Sequence, residues 1–124
     1  MVALKPLSKQ TIDLVIQRAP PSWPNAKDAK QRAFDPSGLW SFLITVYFTD
    51  FMQPFDWQTE FSDGLPSTTD LTLIDHLSLE QLHKLLIAHI RKDHFCTDYL
   101  KELVESGYLS KLLARLATLR QAMP

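Results

Sequence analysis

The clearest helical periodicity in the chain lies in residues 78–121, which read SLEQLHKLLIAHIRKDHFCTDYLKELVESGYLSKLLARLATLRQ. Apolar residues recur there every three or four positions, as they do on one face of an α-helix. The three successive stripes are Leu79, Leu82, Leu85, Leu86 and Ile90; Phe95, Tyr99, Leu100, Leu103 and Val104; and Leu109, Leu112, Leu113, Leu116 and Leu119. The pattern predicts three consecutive amphipathic helices at about 78–92, 94–106 and 108–121.

Start and stop signals divide this stretch. Ser78 followed by Gln81 fits a capping box, in which each side chain accepts a hydrogen bond from the backbone of the other residue. Asp93 is the predicted N-cap of the second helix, and Gly107 is suited to the left-handed turn that ends it. Because the connections are so short, neighbouring helices are expected to pack against each other.

Two further helices are predicted upstream. Ser8 is a suitable N-cap for a short helix that ends near Arg18, where a proline-rich segment stops it. Asp35 and Pro36 form the next start signal, because proline is tolerated in a first turn. The segment Ser37 to Met52 that follows has apolar residues around most of its circumference, so it is predicted to be a central buried helix.

The chain length favours one domain. At 124 residues, with 45% hydrophobic and 22% charged residues, the chain is predicted to be a single compact domain over residues 1–124. The helical segments make this domain all-α, with five or six helices. A long connection, partly ordered, is expected at about 53–77, with a short helix at Pro54 to Phe61 ahead of Gly64. The weakly helical segment Ala26 to Arg32 is predicted to add at most two turns.

The sequence also bears on location. Cys96 is the only cysteine, so no internal disulfide can form and a reducing, cytoplasmic setting is expected. The start of the chain lacks the apolar run of a signal peptide. The longest uncharged apolar run, Pro36 to Thr49, is too short to cross a bilayer, so no membrane association is expected.

Charge is unevenly distributed along the chain. Residues 1–82 have six Lys or Arg against ten Asp or Glu, a net charge of −4, whereas residues 83–124 have seven against four, a net charge of +3. One interpretation is that these regions simply face each other or water. The other is that the basic end binds an anionic partner.

A family resemblance rests on the last part of the chain. Residues Arg91, His94, Phe95, Asp98 and Leu100 resemble the Arg-x-x-Arg-Phe-x-x-Gly-x-Leu motif of a bacterial family known only as a domain of unknown function. The family motif continues with a glycine and a Leu-rich helix, which correspond here to residues 107–116, and it has a Phe-Asp-Trp element like residues 55–57. The resemblance covers about residues 53–120. The sequence departs from the motif at two positions, His94 for arginine and Asp98 for glycine, and the family implies no established activity, substrate or cofactor.

One cluster of residues is the main candidate for a functional site. It comprises Arg91, Asp93, His94 and His89 at the corner between the first two C-terminal helices, together with Trp57 and Asp56 upstream. A carboxylate and an imidazole one helical turn apart can share a proton or bind a metal ion. The structural alternative, which the spacing favours, is that Asp93 caps the next helix, His89 is a hydrogen-bonded core histidine and Arg91 braces the corner.

Other chemistry has weaker support. His94 and Cys96 resemble a base and a nucleophile only by proximity, and a buried structural cysteine fits better. Two metal ligands do not make a site, and with three glycines in all the chain has no phosphate loop or dinucleotide fingerprint, so no metal and no cofactor is predicted.

Three function classes therefore remain open. The favoured one is a non-catalytic protein-interaction or regulatory module that forms a homo-oligomer or binds an unknown protein partner. Phe55, Trp57 and Phe61 are either its anchor or part of the core. The second is a nucleic-acid-binding helical domain, in which the first two C-terminal helices resemble a helix-turn-helix, although the pI of about 6.4 is low for that class. Its candidate contacts are the basic residues Arg91, Lys92, Lys101, Lys111, Arg115 and Arg120. The third is a metal-dependent enzyme that uses His89, Asp93 and His94.

Overall fold

A computed structural model describes residues 4–18, 36–61, 72–93, 95–96 and 98–123. Within these residues the chain forms six α-helices and one short 3-10 helix, and none of them is in a β-strand. The α-helices are α1 (Lys9–Arg18), α2 (Pro36–Tyr47), α3 (Trp57–Glu60), α4 (Leu79–Lys92), α5 (Tyr99–Glu105) and α6 (Tyr108–Gln121), and the 3-10 helix is Thr72–His76. The predicted all-α fold is confirmed.

The predicted capping signals act at the starts of α1 and α4. The Ser8 hydroxyl accepts a hydrogen bond from the Thr11 amide at 3.1 Å, which satisfies one free donor of the first turn. At α4 both bonds of the capping box form: the Gln81 amide donates to the Ser78 hydroxyl at 3.2 Å, and the Ser78 amide donates to the Gln81 side chain at 2.9 Å.

The boundary between α5 and α6 also lies where the sequence places it. Gly107 has φ of 83°, a left-handed conformation that costs glycine little because it has no Cβ. Its amide donates to the Val104 carbonyl at 3.0 Å, and α6 begins at the next residue. Two residues therefore join the helices, and α5 packs against α6.

The start of α5 differs from the prediction. The helix was expected from residue 94 and begins at Tyr99, because the chain first makes separate turns in which the Phe95 and Cys96 amides both donate to the Lys92 carbonyl. Asp98, immediately before the helix, has a left-handed backbone with φ of 62°. A left-handed residue cannot lie inside an α-helix, so the second C-terminal helix has only seven residues.

The two 14-residue C-terminal helices, α4 and α6, are the centre of the packing. Helix α6 contacts α1, α4, α5 and the 3-10 helix, and α4 contacts α3, α5 and α6. Every residue from Leu82 to Ile90 of α4 is buried. The core therefore forms around the last third of the chain, with Phe42, Val46 and Phe51 from the α2 region packed onto it.

The prediction that α2 is a central buried helix is wrong. It ends at Tyr47, five residues before the expected end, and the Thr49 hydroxyl then donates to the Val46 carbonyl and accepts from the Phe51 amide to form a turn. One face of α2 packs against α1, while a second apolar face is exposed. Hydropathy alone predicted burial on all sides because both faces are apolar.

The connection at 53–77 contains the predicted short helix, α3, and the 3-10 helix before α4. Asp56 caps α3 by accepting the Thr59 amide at 3.2 Å. The predictions for Ala26 to Arg32, the Asp35 cap and Gly64 lie outside the described residues.

Candidate functional site

Four of the six large apolar side chains that are exposed among the described residues lie on α2 or directly after it. Trp40, Ile44, Tyr47 and Phe48, which we call the α2 face, are 67%, 40%, 42% and 87% exposed. Their spacing of four, three and one residues places them on one side of a helix. Phe42 and Val46 on the other side are buried, so the core holds the α2 face in a fixed position.

A groove of about 360 Å³ lies between the α2 face and the end of α4. It is lined by the α2 face together with Leu43, Ile90 and Asp93. Asp93 supplies a charged group at one end of an otherwise apolar wall. Partial burial raises the pKa of the Tyr47 phenol, and the nearby charges of Arg91 and Asp93 act on it in opposite directions.

His89, the residue on α4 that the sequence suggested for metal or proton chemistry, is held in the core. Its side chain is buried, with Nδ1 2.7 Å from the Tyr99 hydroxyl and Nε2 3.1 Å from the Tyr108 hydroxyl. A neutral imidazole has one N–H and one bare nitrogen, so one tyrosine accepts a hydrogen bond while the other donates. Burial lowers the pKa of His89 to about 3, and burial raises the pKa of Tyr99 to about 12. His89 is therefore neutral at physiological pH, with both nitrogens occupied.

Asp93 has a capping role, although it acts from an unexpected position. It is the C-cap of α4, and its Oδ1 accepts the backbone amide of Leu100, the second residue of α5, at 3.0 Å. The carboxylate thus satisfies a first-turn donor seven residues later in the chain. Asp98, the residue immediately before α5, makes no side-chain capping bond.

Trp57 is the first residue of α3, and Asp56 is the N-cap of that helix. The Trp57 ring is 6.4 Å from the ring of Phe95, which is 73% exposed. Phe55 and Phe61 are partly buried against the core. Hydrogen bonds from the Thr59 hydroxyl and amide lower the pKa of Asp56, which is exposed and caps α3.

The candidate cluster is therefore distributed over separate surroundings. Asp93 reaches the groove, His89 faces the two tyrosines, Trp57 packs against Phe95, and His94 lies outside the described residues. Arg91 makes no ion pair within the described part of the chain, although its charge lies near Tyr47. Among the residues that the structure describes, no three His, Cys, Asp or Glu side chains are grouped to bind a metal ion.

The basic residues of the last three helices mostly have protein partners. Arg115 donates twice to the Leu77 carbonyl, at 3.1 and 2.9 Å, and Arg120 pairs with Asp13 at 2.9 Å. The weaker pairs are Lys111 with Asp75 at 3.5 Å and Lys101 with Glu105 at 3.8 Å, and the Lys92 ammonium lies 4.8 Å from the centre of the Tyr99 ring. These five side chains therefore contact other groups of the chain.

A family model described as a family of unknown function, DUF6508, matches residues 23–122. The chain belongs to this family. Neither a curated protein nor a solved structure matches it. The DUF6508 match spans α2 to α6 and therefore includes the whole groove, whereas α1 precedes it.

One feature of this DUF6508 chain bears on the motif that the sequence resembles. The position at which the resembled motif has glycine, Asp98, is left-handed, a conformation that glycine adopts freely and aspartate tolerates better than most residues.

The α2 face was missed because its residues were assigned to the core. The signal was present as two apolar stripes on one helix, 39–42–46 and 40–44–47–48, but the sequence does not say which stripe the rest of the chain covers. In the described residues no helix is both long and apolar enough to cross a membrane.

Proposed function

We propose that the protein is a non-catalytic protein-interaction module and that the α2 face with its adjoining groove is the binding surface. The observation that carries the proposal is the exposure of Trp40, Ile44, Tyr47 and Phe48 on one side of a single helix. The largest exposed apolar patch of a soluble protein is often a binding site. The proposal includes a bacterial, cytoplasmic setting, which rests on the family resemblance and on the single cysteine.

The residue types support a protein partner. Tryptophan and tyrosine are enriched among the side chains that contribute most to protein–protein affinity, because they give a large contact area with few rotatable bonds. The α2 face presents three aromatic residues beside a concave wall. Since Phe42 and Val46 hold α2 on the core, little conformational entropy is lost when a partner orders this surface.

Charge argues against an anionic partner at this surface. Helix α2 has no charged residue, and from Ala33 to His83 the chain has no Lys or Arg. A membrane surface or a nucleic acid would need basic residues next to the apolar ones. Apart from Arg91, the basic residues of the last helices contact other groups of the chain, and nothing in the described residues favours the nucleic-acid or metal-enzyme alternatives.

The test is site-specific photo-crosslinking in living cells that express the full chain. A benzophenone amino acid replaces Phe48 in one variant and Gln58, an exposed polar residue of α3, in the control. Illumination is expected to give a discrete covalent adduct from position 48 and none from position 58, and mass spectrometry identifies the attached peptide. If position 48 gives no adduct, or only the diffuse products that position 58 gives, the interaction proposal is wrong.

A further inference from the structure

The α2 face has exposed aromatic side chains and an adjoining groove. Phe48 and Trp40 are largely exposed, and they help to line a groove of about 360 Å³ that lies beside them. A surface with both features can fit a copy of itself, because a two-fold axis places each projection opposite the other copy's groove. We propose that the partner is a second copy of this chain and that the two α2 helices meet across a two-fold axis. This inference rests on the proposed function and names its partner.

The area of the α2 face agrees with that of a dimer. Aromatic side chains have about 150–250 Å² of surface, so the exposed fractions of the four residues correspond to roughly 500 Å². Homodimer interfaces are about 65% apolar. Roughly 500 Å² would supply that apolar share in an interface of about 800 Å² per partner, the size typical of stable complexes.

The charges allow two identical surfaces to meet. Because no residue of α2 is charged, two copies can be joined there without burying like charges against each other. The carboxylate that lines the groove, Asp93, already accepts the Leu100 amide, which satisfies part of its hydrogen-bonding capacity. Arg91 lies nearby with no ion pair in the described residues, so the rim of the groove has both signs of charge.

Sedimentation of the purified full chain tests the proposal directly. The unaltered protein is expected at twice the monomer mass, and Phe48→Asp is expected to weaken dimerisation by about thirtyfold or more, the effect of losing one interface hot spot. Phe95→Asp is the matched control, since Phe95 is also exposed and aromatic but does not line the groove. Circular dichroism of both variants confirms that they are folded.

Cysteine crosslinking tests the symmetry. Ile44 is at the middle of the α2 face, so in a two-fold contact it lies near the axis and near its own copy. In a Cys96→Ser background, Ile44→Cys is expected to form a covalent dimer under mild oxidation, and Gln58→Cys is expected to remain monomeric. Equal crosslinking at both positions would contradict the inference.

Two other results would overturn this inference and leave the proposed function standing. One is a strictly monomeric protein whose position 48 photo-crosslinks to a different protein in cells. The other is a dimer that Phe48→Asp leaves intact while the adduct at position 48 contains another protein. An adduct that contains this chain's own peptides supports both proposals.

Discussion

Helices α2 and α4 have opposite relations between sequence and burial. Helix α2 has no charged residue in twelve positions, yet one of its apolar faces is exposed. Helix α4 has six charged or histidine residues among its fourteen, yet nine consecutive residues of it are buried. Local hydropathy therefore does not decide which helix lies at the centre. The elements packed around each helix decide it, and α4 lies between α3, α5 and α6.

Each buried polar group of α4 has a partner from another part of the chain. His83 Nε2 lies 2.6 Å from the Phe51 carbonyl oxygen and so donates to it, and the Lys84 ammonium donates to Glu60 at 2.8 Å. His89 lies between two tyrosine hydroxyls. Burial of these groups is tolerated because their hydrogen bonds are formed. On α2, Phe42 and Val46 of one apolar stripe are buried, whereas the other stripe is exposed.

The largest expected effect is a loss of core packing on α4. Leu86 is 1% exposed, and Leu86→Ala is expected to lower the free energy of unfolding by about 2–5 kcal/mol, because it removes buried methyl groups and leaves a cavity. Urea unfolding followed by circular dichroism measures this loss. An effect below about 1 kcal/mol would mean that α4 is not the centre of the core.

The pH dependence of stability is the next largest effect. The pKa of His89 is lowered from 6.5 to about 3 in the folded protein, so between these values the unfolded chain binds a proton that the folded chain does not. Stability is therefore complete above about pH 6.5 and falls as the pH is lowered, by about 1.4 kcal/mol for each pH unit. Burial also lowers the pKa of His83, which adds to the loss in the same direction.

His89→Gln separates the two histidines. Glutamine retains a donor and an acceptor for the tyrosines but does not titrate, so the variant is expected to lose less stability between pH 7 and pH 5 than the unaltered protein. The measurement is urea unfolding at a series of pH values. An unchanged pH dependence in His89→Gln would show that the imidazole is not buried in its neutral form.

A smaller effect is expected for the ion pair that attaches α3 to α4. The Lys84 side chain is 8% exposed and pairs with Glu60, and the hydrogen bond from Lys84 to Glu60 raises the pKa of the lysine. Glu60→Ala is expected to cost about 1 kcal/mol, since Glu80, at 3.6 Å from Lys84, compensates in part. Adding Lys84→Met is expected to restore much of the stability. If the double variant instead loses the sum of the stabilities lost in the two single variants, Lys84 and Glu60 are not coupled.

Sequence reasoning succeeded where a local signal determines the structure. The capping box at Ser78 and Gln81, the cap at Ser8 and the left-handed Gly107 each involve residues that are close in the chain, and all three form. The predicted start of α5 was wrong because Asp93 accepts the amide of Leu100, seven residues later. The intervening turns follow no short-range rule.

The site was harder to predict than the fold. The sequence identified Asp93, which does line the groove, but it assigned Trp40 and Phe48 to the core. An apolar stripe looks the same in sequence whether it faces a core or a partner, because the hydrophobic effect is non-directional. The histidines were identified for their chemistry, and the tyrosines that hold His89 come from residues 99 and 108, which periodicity alone does not place beside it.

The smallest expected effect on stability is at Phe48, the most exposed side chain of the α2 face. Phe48 is 87% exposed, so Phe48→Ser is expected to change the free energy of unfolding of the monomer by less than about 0.5 kcal/mol. Phe48, in the apolar segment, would thus contribute little to the stability of the monomer, whereas Leu86, on the more polar helix α4, would contribute much more. Thermal unfolding at high dilution, where monomer predominates, is the measurement.

Protein concentration then distinguishes folding from association. If α2 is the interface, the unaltered protein is stabilised by mass action as its concentration rises, because only folded chains associate. Phe48→Ser is expected to abolish that concentration dependence while its stability at high dilution stays the same. A loss of several kcal/mol in the dilute variant would instead show that Phe48 belongs to the core.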